Sequence, residues 1–340
     1  MPSNKLTYAP LRVVVRKGSV AARSLTKTAG LHPDALTKGL KPSPKQDLIF
    51  HGGRTIENLS FVNFYVAGQT AWDPGDIQNI DKALAAAMSD KNLNNVMMQY
   101  FQNKPITSKL AGSERLTGDA PSVFSQGDTE ALVQTLNSQG LLSGLDLTST
   151  VVNLLLPPGT VLTTDAAPTA GAVLPQAAAR VKEKKEKAAI PHEADASSQN
   201  GLGGYHGSVH PTMSGVGITI YYAVGVFSEQ TADGQVNGIP AFPQSWKSVA
   251  ATFYHELNEA RTDPDVEDAI RTGQQSFLGW TSAQGEEVGD FPIDETNGDL
   301  SLVFKEVPLA DGSGTVPVQF QYSNAVHGPE GPILKPHPLP

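Results

Sequence analysis

The chain has 340 residues, a formal net charge of −9 at neutral pH and no cysteine. The lack of cysteine excludes disulfides, thiol nucleophiles and cysteine-ligated zinc, and the acidic balance argues against nucleic acid as the main partner. No apolar run is long enough for a membrane span. The apolar residues Leu11 and Val13–Val15 around Arg12 are too few for a signal-peptide core, so none is predicted.

Basic residues are concentrated at the start of the chain. Residues 1–45 hold nine Lys/Arg and one acidic residue, whereas the rest of the chain is acidic. We therefore predict a basic N-terminal extension that is either solvated or docked on its own acidic body; the alternative is an arm that reaches an acidic neighbour such as the body of another copy. Together with a Pro-rich C-terminal tail over residues 326–340, this extension makes a homo-oligomer or larger assembly a candidate arrangement.

Strand and helix patterns alternate along the first half of the body. Residues 59–67 (LSFVNFYVA) are rich in β-branched and aromatic side chains, which is typical of a buried strand. Asp73 followed by Pro74 is typical of a helix start. The predicted elements are the strand at 59–67, a helix from the Asp73 cap to about Asp90, a second helix at 93–101, and a third helix from an Asp128 cap to a Gly140 stop.

The second half of the body continues this alternation. Strands are predicted at 151–156 (VVNLLL), 216–226, 300–305 and 316–322. Residues 164–200 are rich in Ala, Pro, Lys and Glu, and they predict a polar insertion that contributes no core. The pattern predicts one α/β domain over residues 46–325, with a mixed central sheet and flanking helices.

The motif that says most about chemistry is HELNE at residues 255–259. On a helix that starts at a Ser245 cap, His255 and Glu259 are four residues apart and project from one face. Glu256 lies one position further round, where it could act as general base on a water held by the other two side chains. The alternative is an ordinary solvated polar face, because the apolar stripe of this helix lies on its other side.

A carboxylate cluster between glycines follows at residues 285–290 (GEEVGD). A catalytic zinc site needs three protein ligands and an open position for water. Glu287 and Asp290 are the candidates for the third ligand, and Asp263, next to the Pro264 that ends the helix, is a lesser candidate that would support the ligands. The alternative for this cluster is a polar turn without a ligand.

A further histidine, His206, follows the glycines Gly203 and Gly204. These glycines do not predict a phosphate loop, because no Gly-Lys-Ser/Thr sequence follows them. His206 is expected to be a fourth ligand or a group that supports the site, an oxyanion donor, or a loop residue that only forms hydrogen bonds.

These motifs, in this order, resemble those of the Exordium or phosphate-induced protein family. The matching segments are His51-Gly52-Gly53, 59–67, 151–160, 204–208 (GYHGS), 255–264, Gly279-Trp280, 287–290 (EVGD) and 318–325. The resemblance covers about residues 46–325 without the insertion, and Gly203 stands where the family has a cysteine. It implies an exported, extracellular α/β protein, linked in plants to growth and cell-wall responses, without a settled enzymatic activity.

These observations together predict a zincin-like domain that binds a divalent metal, with zinc as the first choice. The ligands would be His255, Glu259 and either Glu287 or Asp290, and Glu256 would be the base in hydrolysis of a peptide or similar amide. The alternative is a non-catalytic binding or structural protein whose carboxylates hold calcium or tie the helix to the loop. Calcium prefers oxygen ligands alone, so the histidine favours zinc.

Overall fold

Helices lie on both faces of a mixed β-sheet in the computed structural model, which describes residues 13–15, 37, 40–165, 197–213, 215–230 and 234–338. The α-helices are α1 (Pro74–Ser89), α2 (Lys91–Met97), α3 (Gln126–Ser138), α4 (Ser245–Thr262), α5 (Val266–Thr272) and α6 (Asp290–Glu295). The strands are β1 (Val13–Val15), β2 (Leu48–Phe50), β3 (Asn58–Tyr65), β4 (Thr107–Arg115), β5 (Val123–Phe124), β6 (Thr150–Leu155), β7 (Val161–Leu162), β8 (Leu202–Val209), β9 (Thr212–Met213), β10 (Val216–Gly217), β11 (Ile220–Gly225), β12 (Glu229–Gln230), β13 (Val236–Asn237), β14 (Trp280–Ser282), β15 (Phe304–Pro308), β16 (Thr315–Gln319), β17 (Gln321–Ser323) and β18 (Gly328–Glu330). Short 3-10 turns lie at Pro44–Gln46, Met98–Phe101, Ser198–Asn200, Gln275–Phe277 and Leu300–Leu302.

The central sheet has the strand order β1-β8-β11-β6-β3-β4. Strands β11, β6, β3 and β4 are parallel to one another, and β8 and β1 are added antiparallel at one edge. The prediction of an α/β domain with a mixed central sheet and flanking helices is therefore confirmed. None of the helices in the described ranges combines the length and apolarity that crossing a bilayer requires.

Two apolar layers enclose this sheet because side chains alternate along its strands. Phe61 of β3 packs with residues of α1 and α4, whereas its neighbour Val62 packs with residues of α3. The same alternation operates on β8, where Tyr205 belongs to the α3 layer. His206, the next residue, therefore points to the side of the sheet that α4 covers, opposite Ala223 of β11.

The first predicted helix start agrees with the structure, and the second helix begins two residues before the predicted residue 93. The Asp73 side chain accepts hydrogen bonds from the amides of Gly75 at 2.7 Å and Asp76 at 3.3 Å, which satisfies two free N–H groups of α1. The helix predicted over 93–101 consists of α2 and the 3-10 turn Met98–Phe101. It starts at Lys91, after the N-cap Asp90, whose side chain accepts from the Leu93 amide at 2.9 Å.

The two other predicted caps are wrong. Helix α3 is capped by Ser125, and Asp128 is its third residue, whose carboxylate accepts from the Ser125 amide at 2.9 Å in a capping box. Helix α4 has Gln244 at its N-cap with no side-chain hydrogen bond, and Ser245 is already helical. The stability of α4 must therefore come from its packing rather than from its cap.

Three predicted strands also have different bounds. The stretch 316–322 is divided at Phe320 into β16, which pairs with β15, and β17, which pairs with β18. The stretch 216–226 is divided into β10, which forms a hairpin with β9, and β11, which enters the central sheet. The stretch 300–305 begins as a 3-10 turn, because the Asp299 carboxylate accepts from the Ser301 amide at 3.2 Å, and extended structure starts only at Phe304.

Helix α4 is buried around its whole circumference. Val249, Phe253 and Leu257 pack on the sheet as the apolar stripe predicted. The opposite face, with His255 and Glu259, is also fully buried, under β16 and the segment that leads into α6. The alternative of a solvated polar face is therefore wrong.

The described parts of the terminal extensions dock on their own chain. Strand β1 of the basic extension pairs with β8, and residues 1–12 and 16–36 lie outside the described residues. In the tail, β18 pairs with β17, and the Asn103 amide donates to the His337 carbonyl at 2.6 Å. Most of the polar insertion, residues 166–196, also lies outside the described residues. An assembly through these extensions stays a prediction.

Candidate metal centre

Six potential ligands meet between helix α4, strand β8 and the start of helix α6. They are His206, His255, Glu256, Glu259, Glu287 and Asp290. Five of these side chains are at most 1% exposed, and Asp290 is the exception with 13%. Because buried carboxylates are very rarely left without a balancing charge or proton, this cluster calls for a chemical explanation.

The first group in the cluster is His255, Glu259 and Asp290. Nε2 of His255 lies 3.0 Å from Oε2 of Glu259 and 4.0 Å from Oδ1 of Asp290. One potential ligand atom from each side chain lies within 4.8 Å of the other two. The structure thus brings together the two helix residues and one of the two predicted third ligands.

Gln319 on β16 determines which ring nitrogen of His255 is available to bind a metal. Its amide Nε2 donates to the Gly289 carbonyl at 2.6 Å, so its Oε1, 2.5 Å from Nδ1 of His255, must accept a hydrogen bond from the imidazole. In the neutral imidazole the lone pair is therefore on Nε2, which points toward Glu259. Nε2 is buried and has no hydrogen-bond partner among the described residues.

The segment before α6 is held against α4 by Gly289. Its amide donates to Oε1 of Glu259 at 3.1 Å. A Cβ atom at this position would lie 2.3 Å from Nδ1 of His255, so only glycine lets the segment approach the imidazole this closely. The glycine in the EVGD sequence thus has a packing role at the site.

The second group in the cluster is His206, Glu256 and Glu259. Nδ1 of His206 lies 3.4 Å from Oε2 of Glu256 and 3.7 Å from Oε2 of Glu259. On the other side of the ring, Nε2 lies 3.5 Å from Oε1 of Glu287. Of the predicted third ligands, Asp290 therefore approaches His255 and Glu287 approaches His206.

The expectation that His206 is a loop residue is wrong, because it lies within strand β8. Its place at the cluster results from the pairing of β8 with β11, which the local sequence does not encode. The one signal in the local sequence was the alternation of an aromatic residue, Tyr205, with the polar His206 along a buried strand. Gln319 gave no signal, because it is 64 residues from His255 in the chain.

Asp263 ends helix α4 and does not belong to either ligand group. Its Oδ1 accepts from the Gly279 amide at 2.7 Å, and its backbone carbonyl lies 3.3 Å from Nε2 of His206. Asp263 thus ties the end of the helix to the segment before β14 and orients the His206 ring.

Burial shapes the acid–base chemistry of Glu256. It raises the pKa of this carboxyl well above its usual range; a protonated His255 would oppose the rise, and the charges of Glu259 and Asp290 add to it. The buried cation of the same helix, Arg261, is engaged elsewhere, where its Nη2 donates to the Thr107 carbonyl at 2.8 Å and to Ser108 Oγ at 3.1 Å.

A separate buried acid, Glu267 on α5, gives a testable pH effect. Burial raises its pKa to about 7, although the ion pair with Arg271 and the bond from the Ser208 amide oppose the rise. As pH rises above about 4.3, the unfolded chain loses this proton before the folded protein does, so stability falls until about pH 7 and is level above it.

We expect Glu267→Gln to remove this decline. Between pH 4.5 and pH 8, the free energy of unfolding of the wild type should fall by about 3 kcal/mol more than that of the variant. Urea denaturation at the two pH values measures the difference. Equal declines in the two proteins would show that Glu267 ionises as readily in the folded protein as in the unfolded chain.

Comparison with protein-family models, with curated protein sequences and with solved structures gives no match to this chain. The resemblance to the Exordium family therefore stays a prediction. What the chain does has to be inferred from the geometry of the cluster.

Proposed function

We propose that this chain is a divalent-metal-binding protein of zincin-like architecture, with zinc as the first choice of metal. The ligands are His255, Glu259 and Asp290. The observation that supports the proposal most is the Nε2 atom of His255, whose lone pair is directed toward two carboxylates in a buried site. Such an arrangement repels unless a proton or a cation lies between the groups.

The ligand types favour zinc over calcium. A neutral imidazole and two carboxylates form an accepted zinc set, whereas calcium takes oxygen ligands. Gln319 holds the other ring nitrogen of His255, which is the usual way in which a metal-bound histidine is oriented. Since two of the three ligands are anionic, they neutralise much of the charge of the metal. The centre therefore suits a structural or binding role.

A second candidate function is hydrolysis of a peptide or similar amide. It is favoured by Asp290, whose partly exposed side chain brings the first group close to the surface. A zinc ion there would supply a coordinated water of lowered pKa. Glu256, with its raised pKa, would hold or transfer a proton beside it.

Metal analysis tests the first proposal. The purified protein is expected to retain zinc after dialysis, and His255→Gln is expected to bind zinc at least about 100-fold more weakly in a competition titration with a chelator. His210→Gln is the matched control, because His210 pairs with Asp268 at 2.8 Å in an exposed position. Wild-type protein that binds no divalent metal at micromolar concentration would overturn the proposal.

Hydrolysis is tested separately on zinc-loaded protein. Cleavage of a peptide library by the wild type, lost in Asp290→Asn and retained in His210→Gln, would support it. Zinc-loaded wild type without cleavage would leave a binding or structural role as the function.

A further inference from the structure

We infer that the centre holds two divalent cations, the second bound by His206, Glu256 and Glu259, with Glu259 shared by both. This inference rests on the proposed function, because it takes the His255 site as the first of the pair. The potential ligand atoms of the second group lie within 4.8 Å of one another, and all three side chains are buried.

The two sites are adjacent because one carboxylate oxygen serves both. Oε2 of Glu259 lies 3.0 Å from Nε2 of His255 and 3.7 Å from Nδ1 of His206. A carboxylate between two imidazoles is the arrangement in which a single side chain bridges neighbouring cations. In two-metal sites the ions are about 3.5–4 Å apart.

In His206, as in His255, the ring nitrogen that carries the lone pair is the one that faces Glu259. Its Nε2 lies 3.3 Å from the Asp263 carbonyl, which can only accept a hydrogen bond, so the neutral tautomer that donates to it carries its ring hydrogen on Nε2. In that tautomer, the lone pair on Nδ1 points toward Glu256 and Glu259. Each histidine thus has one nitrogen held by an oxygen acceptor and the other directed to the shared carboxylate, which is the pattern of metal-bound histidines.

The separations in the second group match the spacing of ligand atoms around one cation. His206 Nδ1 is 3.4 Å from Oε2 of Glu256 and 3.7 Å from Oε2 of Glu259. Two ligand atoms bound tetrahedrally at about 2.1 Å from one zinc ion lie about 3.4 Å apart.

An independent observation points to a ligand at this place. Oε1 of Glu256 is buried, and it has no hydrogen-bond partner among the described residues. A buried carboxylate oxygen in this position costs on the order of 1–3 kcal/mol, and more if it is charged, unless it finds a partner. A cation in the second group would be that partner, and Glu256 would then be a ligand.

A further carboxylate lies on the other side of the His206 ring. Glu287, at 3.5 Å from Nε2 of His206, would also orient the ring that binds the second ion.

The number of bound ions tests the inference on the full chain. Metal-free protein titrated with Zn²⁺ is expected to bind two ions in the wild type and in His210→Gln, and one in His206→Gln and in Glu256→Gln. Loaded with Mn²⁺, the wild type is expected to give the electron paramagnetic resonance signal of an exchange-coupled pair. The two single-site variants should give that of an isolated ion.

The outcomes separate the two proposals. One ion and an uncoupled Mn²⁺ signal in the wild type would overturn the second site and leave the first intact, whereas no bound ion would overturn both. Glu256→Gln is nearly isosteric, so it covers the case in which His206→Gln does not fold. A Glu256→Gln protein that still binds two coupled ions would remove Glu256 from the ligand set.

Discussion

Glu259→Gln is expected to abolish tight binding of both cations, because Glu259 is the one side chain common to both ligand groups. Glutamine keeps the size of the side chain and can still accept the bond from the Gly289 amide through its Oε1. It removes the negative charge and the bridging oxygen. No other single substitution in the cluster should affect both sites equally.

The loss should be visible in stability as well as in binding. Zinc at 100 times its dissociation constant stabilises a folded protein by about 2.7 kcal/mol, and this gain should vanish in Glu259→Gln. Thermal unfolding with and without zinc measures the gain. Glu306→Gln, which removes the partner of Lys247 outside the cluster, should keep it. A zinc-induced gain in Glu259→Gln equal to that of the wild type would contradict the shared role of Glu259.

Gly279→Ala is expected to give the largest loss of stability from a single added methyl group. Its Cβ would lie 2.0 Å from the Thr262 carbonyl oxygen and 3.0 Å from the Arg54 carbonyl oxygen. Both obstacles are backbone atoms, so relief requires that the end of α4 separate from the segment before β14. The same movement would stretch the bond from the Gly279 amide to Asp263.

We expect a loss of about 3 kcal/mol or more, at the upper end of what overpacking causes. Urea denaturation at constant pH measures it. Gly217→Ala is the control, because a Cβ there meets no atom within 4 Å, and its stability should change by at most about 0.5 kcal/mol. If the two variants were equally stable, the close approach of β14 to α4 would not be a constraint on the fold.

The sequence predicted those parts of the fold that depend on neighbouring residues. Helix α1 was predicted from the Asp73 cap and a regular apolar stripe, and β3 from a run of β-branched and aromatic residues. Predictions failed where a nearby residue competed for the same role. Ser125 rather than Asp128 caps α3, because a serine and an acid three residues later form a reciprocal pair of bonds.

The part of the candidate site that was predicted also depends on residues that are close together in the chain. His255 and Glu259 share a helix face, so their proximity follows from helical geometry alone. Gly279 and Gly289 could be read from the sequence. The need for glycine at these positions depends on the Thr262 carbonyl and the His255 imidazole against which they pack.

By itself, the sequence determined the chemical types available: a histidine and two glutamates on one helix, a carboxylate loop after it, and no cysteine to compete for a metal. Only the tertiary structure decided that both faces of that helix are buried and that Glu259 lies between two imidazoles. The reason is that His206 and Gln319 reach the cluster through strand pairing and packing over 50 to 64 residues of chain. Such long-range contacts are selected by the whole core, and no local pattern specifies them.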